Sequence, residues 1–188
     1  IAHAGYMLVG LAVFAATGER DLLAAVLFYL LGYALMNLGA FAVVILWGGE
    51  KEERLEISDF AGMGWKSPAA AAALSLFMVA LAGIPPTVGF FGKYRIFRGA
   101  VTHGVVPLVV IAALNSAVSV YYYFRVLVML YMRPATRPLE YASSVAAGTV
   151  IALCALGVLV LGILPDGGVP GMSSSLIGLV HEAVAALR

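Results

Sequence analysis

The sequence predicts an all-α protein, a polytopic bundle of about six transmembrane helices. Of its 188 residues, 63% are apolar and only 11% are charged, whereas soluble domains are about 45–50% apolar and about 25% charged. A chain of this length cannot hide that much apolar surface in its own core, so the excess must face lipid. The apolar residues also form runs close to the roughly 20 residues that a helix needs to cross a bilayer. No alternating pattern typical of a membrane barrel is present, so the spans must be helices.

Charge and cysteine content exclude several classes of protein. The 11 lysines and arginines nearly balance the 10 aspartates and glutamates, so no basic surface indicates a nucleic-acid partner. Cys154 is the sole cysteine and lies in an apolar run, so neither a disulfide framework nor a metal site is expected. The sequence has no paired-histidine haem pattern and no Ser/His/Asp arrangement, so we expect neither a redox centre nor a hydrolytic site in this chain.

The first two membrane segments are separated by a short charged turn. Residues 1–18 contain no ionisable side chain except His3, and residues 22–49 contain no charge at all, which is enough for one long or tilted span. The chain begins inside an apolar run, without an initiating methionine or the basic start of a secretory signal. We therefore expect it to be the C-terminal part of a larger membrane protein.

A charged loop is expected at residues 50–66, where eight side chains are charged. Trp47 precedes this loop and Trp65 lies near its end. Because tryptophan is enriched at membrane–water interfaces, we predict that both anchor the chain there.

The next membrane segment is expected to be broken at two prolines. Residues 67–92 carry no charge, but Pro85 and Pro86 interrupt them. Successive prolines remove backbone donors and clash with the preceding turn, so a straight helix cannot continue. We predict one helix over residues 68–83 and a second, short or broken one over 86–100, with Gly89 and Gly92 allowing close backbone approach or local unwinding.

Two further spans complete the predicted bundle. Residues 104–132 form one span, and residues 142–164 form the last, after a polar connection. A linker rich in glycine, proline and serine follows, and residues 176–188 are expected to form a short surface helix.

Lys93 is the strongest candidate for a functional side chain. It lies shortly after the Pro85-Pro86 break, and broken helices mark ion sites in transporters. An ionisable group inside a membrane segment is costly and by default indicates function. Desolvation favours the neutral form of a lysine, which suits proton exchange. The alternative is a basic helix end, formed with Arg95 and Arg98, that extends to the lipid headgroups; we favour that interpretation for the two arginines.

A second candidate is the helix face that carries Tyr29, Tyr33 and Asn37. Spacings of four residues place the three side chains on one stripe. Their hydroxyls and amide could hold a chain of water for proton transfer. Alternatively, they form hydrogen bonds between helices beside Gly32 and Gly39, where small residues let helices approach.

His3 and Tyr6 share a face of the first segment. An intramembrane histidine titrates near neutrality, which suits a proton relay. A single histidine could equally be a packing residue with satisfied hydrogen bonds.

In the fifth segment, Asn115, Ser119 and Tyr122 follow helical spacing, and Arg125 lies one turn beyond Tyr122. We include Tyr122 in the candidate polar path. Arg125 would bind an acidic partner or a carbonyl group, or would extend to the headgroups.

Four segments occur in an order and at separations that resemble a known family. They are IAHAGYMLVGL, FYLLGYALMNLGAF, LAGIPPTVGFFGKY and NSAVSVYYYFRV. Together they resemble the C-terminal half of the subunit N family of bacterial NADH–quinone oxidoreductase (complex I). These antiporter-like membrane subunits are related to the large subunits of multisubunit sodium/proton antiporters. The resemblance covers most of residues 1–132 and only loosely the final span.

The resemblance implies an arrangement of two inverted five-helix bundles, each with a broken helix. Residues 1–141 would supply the second bundle, truncated at its start, and residues 142–188 the final transmembrane helix and tail. Lys93 matches the lysine of the second broken helix, which the family uses in proton transfer. Asn37 stands where sister subunits have a central lysine, so the path here would rely on neutral groups or on other helices.

The resemblance also implies a function. The chain would belong to a proton-translocating, non-redox subunit that binds no cofactor itself, while partner subunits hold NADH, FMN, iron–sulfur clusters and quinone. Its partners would be the other membrane subunits of the complex and the lipid bilayer, in the cell inner (plasma) membrane. Two alternatives stay open: a sodium/proton antiporter subunit without a redox partner, and a structural scaffold whose polar residues only pack helices.

Overall fold

The computed structural model describes residues 1–48, 56–135 and 144–164. No strand occurs among these residues, and the all-helical prediction is confirmed. Three of the helices are long and apolar enough to cross a membrane, and two more are shorter and apolar. The helices are α1 Ala2–Thr17, α2 Arg20–Gly48, α3 Met63–Lys66, α4 Pro68–Ala82, α5 Val88–Thr102, α6 Val106–Met132 and α7 Val145–Ile163, and a 3-10 turn covers Ile57–Phe60. The candidate spans are α2, α6 and α7.

The six predicted segments correspond to α1, α2, α4, α5, α6 and α7, and their ends differ from the predictions by at most three residues. Local chemistry explains several of these ends. Gly18 and Gly83 follow α1 and α4 with φ values of 73° and 85°, a left-handed conformation that glycine adopts readily at a helix end. The Ser144 hydroxyl accepts a hydrogen bond from the Ala147 N–H and caps the start of α7.

The structure contradicts the interfacial position predicted for Trp47. Its side chain is fully buried, and its ring lies 6.0 Å from that of Phe60. Residues 56–66, the described part of the predicted loop, are also partly helical, with the turn Ile57–Phe60 and α3. Phe60 and Met63 from these two elements lie in the core. Trp65 is 76% exposed, as expected for an interfacial residue. The helix predicted at residues 176–188 lies outside the described residues.

Helices α4 and α5 form one interrupted column along α2. Gly39 of α2 packs against Phe77 of α4, and Gly32 packs against Val88 of α5. The earlier residue of α2 thus contacts the later helix of the column, and the later residue contacts the earlier helix. The column therefore runs antiparallel to α2. The helix is interrupted over residues 83–87, which confirms the predicted break at Pro85-Pro86.

The other long helices enclose this column. Helix α1 runs antiparallel to α2, with Gly10 against Val26, and α6 packs through a narrow face that includes Ala112 and Ser119. This arrangement places parts of α1, α2, α5 and α6 around the residues that follow the break.

Helix α7 packs along α2 and extends to the break. Gly157 lies against Leu35 of α2, and Gly162 lies against the backbone of Thr87. The predicted division of the chain at residues 141 and 142 stays a prediction.

Candidate functional site

Lys93 lies inside the bundle beside the break. Its side chain is only 5% exposed. Its Nζ donates three hydrogen bonds, each 3.1 Å long, to the carbonyl oxygens of Leu81 and Ala82 and to the hydroxyl oxygen of Ser116. A lysine ammonium has three donors, so the charged form is fully satisfied. This geometry excludes the alternative in which Lys93 extends to the headgroups.

The carbonyl oxygens that bind Lys93 are free because of the two prolines. In an α-helix, the carbonyls of Leu81 and Ala82 would accept from the N–H groups four residues later. Those positions are Pro85 and Pro86, which have no N–H. The Lys93 ammonium thus binds the partly negative carboxyl end of α4. The four acidic residues that the structure describes lie outside this group, at helix ends or in turns: Glu19, Asp21, Glu56 and Asp59.

His3 is buried and hydrogen-bonded through both ring nitrogens. Its Nδ1 lies 2.6 Å from the Tyr29 hydroxyl, and its Nε2 lies 2.8 Å from the Tyr123 hydroxyl. A neutral imidazole has one donor and one acceptor, whereas a protonated one has two donors. Because tyrosine hydroxyls can either donate or accept, both contacts persist in either state. His3 can therefore take up or release a proton without losing a partner.

Tyr6 lies between these two groups. Its ring centroid is 5.7 Å from that of His3 and 5.1 Å from the Lys93 Nζ, within the range of a cation–π attraction. Its hydroxyl is buried. His3 and Lys93 thus share a neighbour, and Tyr6 fills the space between them.

The other two members of the predicted polar stripe are arranged differently. The Tyr33 ring stacks on His3 with centroids 4.9 Å apart. The Asn37 Nδ2 donates to the backbone oxygen of Tyr33, 2.8 Å away in the same helix. The structure thus joins Tyr29 and Tyr33 to His3, while a water path through Asn37 stays a prediction.

Of the residues that the sequence selects on α6, the structure buries Ser119 alone among those it describes. Asn115, Tyr122 and Arg125 are exposed in the part of the chain that the structure describes. Tyr122 is 41% exposed, and the hydroxyl that bonds to His3 belongs to its neighbour Tyr123. Ser119 is buried, but its hydroxyl donates to the Ser116 backbone oxygen.

The residues that sequence reasoning missed on α6 are Ser116 and Tyr123. They lie on one face with the buried Ala112, Ser119 and Leu130. Spacings of three, four and seven residues connect all five, so a polar pattern along this stripe was the signal available in the sequence.

Gly89 and Gly92 both lie inside α5, which is a regular helix at these positions. They let neighbouring helices approach its backbone closely. A Cβ atom on Gly89 would overlap the carbonyl oxygen of Ala80, and one on Gly92 would overlap the Tyr29 ring. The two glycines therefore let α5 approach α4 and α2, which brings Lys93 to the end of α4.

The two arginines of α5 differ in their surroundings. Arg98 is exposed, in line with an interfacial position. Arg95 is half-buried, and its guanidinium carbon lies 5.4 Å from the Phe28 ring centroid.

A family model described as "NADH:quinone oxidoreductase/Mrp antiporter, TM" matches residues 1–119. The chain belongs to this family. The matched range contains His3, Lys93 and Ser116, so the residues around the break lie within the family's shared region. The resemblance predicted from the four sequence segments is confirmed.

Relatives in this family carry specific names. The chain is 46% identical over 167 residues to "NADH-quinone oxidoreductase subunit N" of Trichlorobacter lovleyi, an alignment that covers 88% of this chain and 34% of the relative. It is 47% identical over 167 residues to "NADH-quinone oxidoreductase subunit N 1" of Solibacter usitatus, with the same two coverages. The chain thus spans about a third of the length of these curated relatives.

A solved structure shares the fold. A chain of respiratory complex I from Thermus thermophilus, determined with bound aureothin, matches with a TM-score of 0.72 and 33% identity, covering 87% of this chain and 36% of that one.

Proposed function

We propose that this chain is part of a proton-translocating membrane subunit of an NADH–quinone oxidoreductase. The names of the relatives from Trichlorobacter lovleyi and Solibacter usitatus support this proposal. The observation that carries it is Lys93, a buried ammonium at a helix break whose three hydrogen-bond acceptors are neutral oxygens. A charge held by a carboxylate would leave a buried, uncompensated anion when its proton departs, which is costly. A charge held by neutral oxygens leaves none, so Lys93 is suited to releasing and regaining a proton.

In this mechanism, Lys93 exchanges its proton with one aqueous side of the membrane. His3 serves as a second proton-holding group, with Tyr29 and Tyr123 keeping its ring in place in both protonation states. Quinone reduction in partner subunits shifts the electrostatic field along the membrane and so drives Lys93 between its charged and neutral forms.

The chain contributes no redox step of its own under this proposal. NADH, FMN, iron–sulfur clusters and quinone are bound by partner subunits, and the enzyme acts as a translocase. The other membrane subunits of the complex and the lipid of the inner (plasma) membrane surround the bundle.

The test is Lys93→Ala in the intact complex, reconstituted in vesicles with a pH-sensitive dye. We expect fewer protons translocated per NADH oxidised, while the amount of assembled complex stays near that of the wild type. Arg98→Ala is the matched control, since Arg98 is an exposed cation on the same helix. Unchanged pumping by the Lys93 variant would contradict the proposal and favour the scaffold alternative.

A second candidate is a subunit of a sodium/proton antiporter, because the family description also names the Mrp antiporter. Vesicles containing the full assembly separate the two functions. Proton uptake driven by NADH oxidation supports the first, and sodium movement driven by an imposed pH gradient without NADH supports the second.

A further inference from the structure

We infer that Gly83 and Ser116 are positioning residues for Lys93: Gly83 leaves the space that the ammonium occupies, and Ser116 supplies the one side-chain oxygen among the described residues that binds it. The inference rests on the proposed function, in which Lys93 exchanges a proton. It adds to that function the two neighbouring residues that hold Lys93 in place.

The position of Gly83 connects the break to the lysine. A Cβ atom on Gly83 would lie 2.8 Å from the Lys93 Nζ and 3.2 Å from its Cδ. Both distances are shorter than a van der Waals contact, so any side chain at this position would displace the end of Lys93. Displacement would move the ammonium away from the carbonyl oxygens of Leu81 and Ala82, which are fixed in the backbone.

Ser116 contributes differently, because it lies on α6 and not on the broken helix. Its hydroxyl oxygen accepts from the Lys93 Nζ at 3.1 Å. Without it, the charged lysine has two acceptors for three donors. Ser119, on the same face of α6, is buried but hydrogen-bonds to the Ser116 backbone, so it does not share this role.

The chain offers a matched control for each residue. Gly104 also has a positive φ, 77° against 85° at Gly83, but a Cβ there would meet nothing within 4 Å. Gly104→Ala therefore carries the backbone strain of Gly83→Ala without the collision. Ser119→Ala removes a buried hydroxyl of α6 that does not contact Lys93, and Ser116→Thr keeps the hydroxyl that Ser116→Ala removes.

The first experiment measures proton translocation by the intact complex in vesicles. We expect Gly83→Ala and Ser116→Ala to slow translocation roughly tenfold or more, because a hydrogen bond to a charged group shifts an equilibrium by about that factor. Gly104→Ala, Ser119→Ala and Ser116→Thr should stay near the wild type. Equal effects within either pair, Gly83 with Gly104 or Ser116 with Ser119, would overturn the assignment for that residue. If Gly83→Ala prevents assembly, the three serine variants still decide the case for Ser116.

The second experiment does not depend on pumping. It measures the temperature at which this subunit dissociates from the purified complex, in the wild type and in a Lys93→Ala background. In the wild-type background, Gly83→Ala should lower that temperature more than Gly104→Ala does. In the Lys93→Ala background, the two glycine variants should lower it by similar amounts. An equal difference in both backgrounds would overturn the role of Gly83. Should Lys93→Ala leave pumping intact, the proposed function fails, and this comparison still decides whether Gly83 positions the lysine.

Discussion

Lys93 and His3 are held by different chemistry, and the difference decides how each can handle a proton. When Lys93 becomes neutral, its two remaining N–H groups can still donate to the carbonyl oxygens of Leu81 and Ala82, and its lone pair can accept from the Ser116 hydroxyl. Loss of that proton therefore requires one reorientation, in which the Ser116 hydroxyl changes from acceptor to donor. His3 keeps both tyrosine partners in either state. Lys93 thus relies on a single hydroxyl partner when its protonation changes, whereas both partners of His3 are hydroxyls.

This difference predicts the effect of replacing His3 with glutamine. Glutamine can hydrogen-bond to tyrosine hydroxyls but cannot carry a proton, so assembly of the complex should be retained. Proton transfer through this route should slow on the order of 100-fold or more, the usual contribution of a positioned proton-transfer group. The control is His103→Gln, because His103 caps the end of α5 and bonds to the Gly99 carbonyl. Equal pumping by the two variants would show that His3 only packs.

At the residue scale, the sequence predicted the candidate side chains His3 and Lys93, which the structure buries, better than it predicted their contacts. Lys93 was found because an ionisable group in a membrane segment is costly and because it follows the Pro85-Pro86 break, and His3 was found for the first of these reasons. Ser116 was missed because a serine in a membrane helix carries no such signal. Tyr123 was confused with Tyr122 because three tyrosines follow one another and only tertiary contacts select the one beside His3.

At the scale of the elements, the broken column places Lys93 at the end of α4. The prolines remove the donors for Leu81 and Ala82, Gly83 turns the chain, and α5 then carries Lys93 back to the same carbonyls. This return requires α5 to pass very close to α4, and Gly89 permits that approach. The contact between Lys93 and the end of α4 therefore requires the two prolines, Gly83 and Gly89 together.

We expect Gly89→Ala to disrupt this column. The added Cβ would overlap the backbone carbonyl of Ala80, which cannot move aside as a flexible side chain can. Overpacking of this kind costs about 1–3 kcal/mol or more, so the yield of assembled complex should fall. Gly5→Ala is the control, because Gly5 also lies in a helix but has nothing within 4 Å of a Cβ. Quantitative blotting of purified membranes compares the two, and normal assembly of the Gly89 variant would contradict the packing described.

The break was predictable from the sequence, whereas the buried face of α6 was indicated only weakly, by the spacing of Ser116, Ser119 and Tyr123. Proline acts locally, so Pro85-Pro86 fixes an interruption whatever surrounds it. In a membrane helix, lipid-facing and protein-facing positions are both apolar, so periodicity carries little information about which side is buried. The same limit explains Trp47, which an interfacial pattern placed at the surface although it packs against Phe60.

At the scale of the whole molecule, α7 packs against the backbone of the break at Pro86 and Thr87. It packs along α2, the longest of the described helices, and its last turn reaches residues 86 and 87. Helices from both ends of the described chain thus lie around the break and Lys93, with α7 against residues 86 and 87 and Tyr6 of α1 beside the lysine. The sequence predicted α7 as a separate final span, because its contacts with α2 and with the break are tertiary and leave no pattern within its own residues.

The dependence of the break on α7 is tested by Gly162→Val. A Cβ on Gly162 would lie 2.6 Å from the Cα of Thr87, so a valine must push α7 away from the break. Gly148→Val is the control near the other end of the same helix, where a Cβ meets nothing within 4 Å. Both variants replace a glycine of α7 with valine, so the helix propensity changes by the same amount in each. We expect the Gly162 variant to assemble less well and, in the complex that does form, to translocate fewer protons per NADH oxidised. Equal behaviour of the two variants in both assays would mean that α7 is a separate element and that the break is held by α2, α4, α5 and α6 without it.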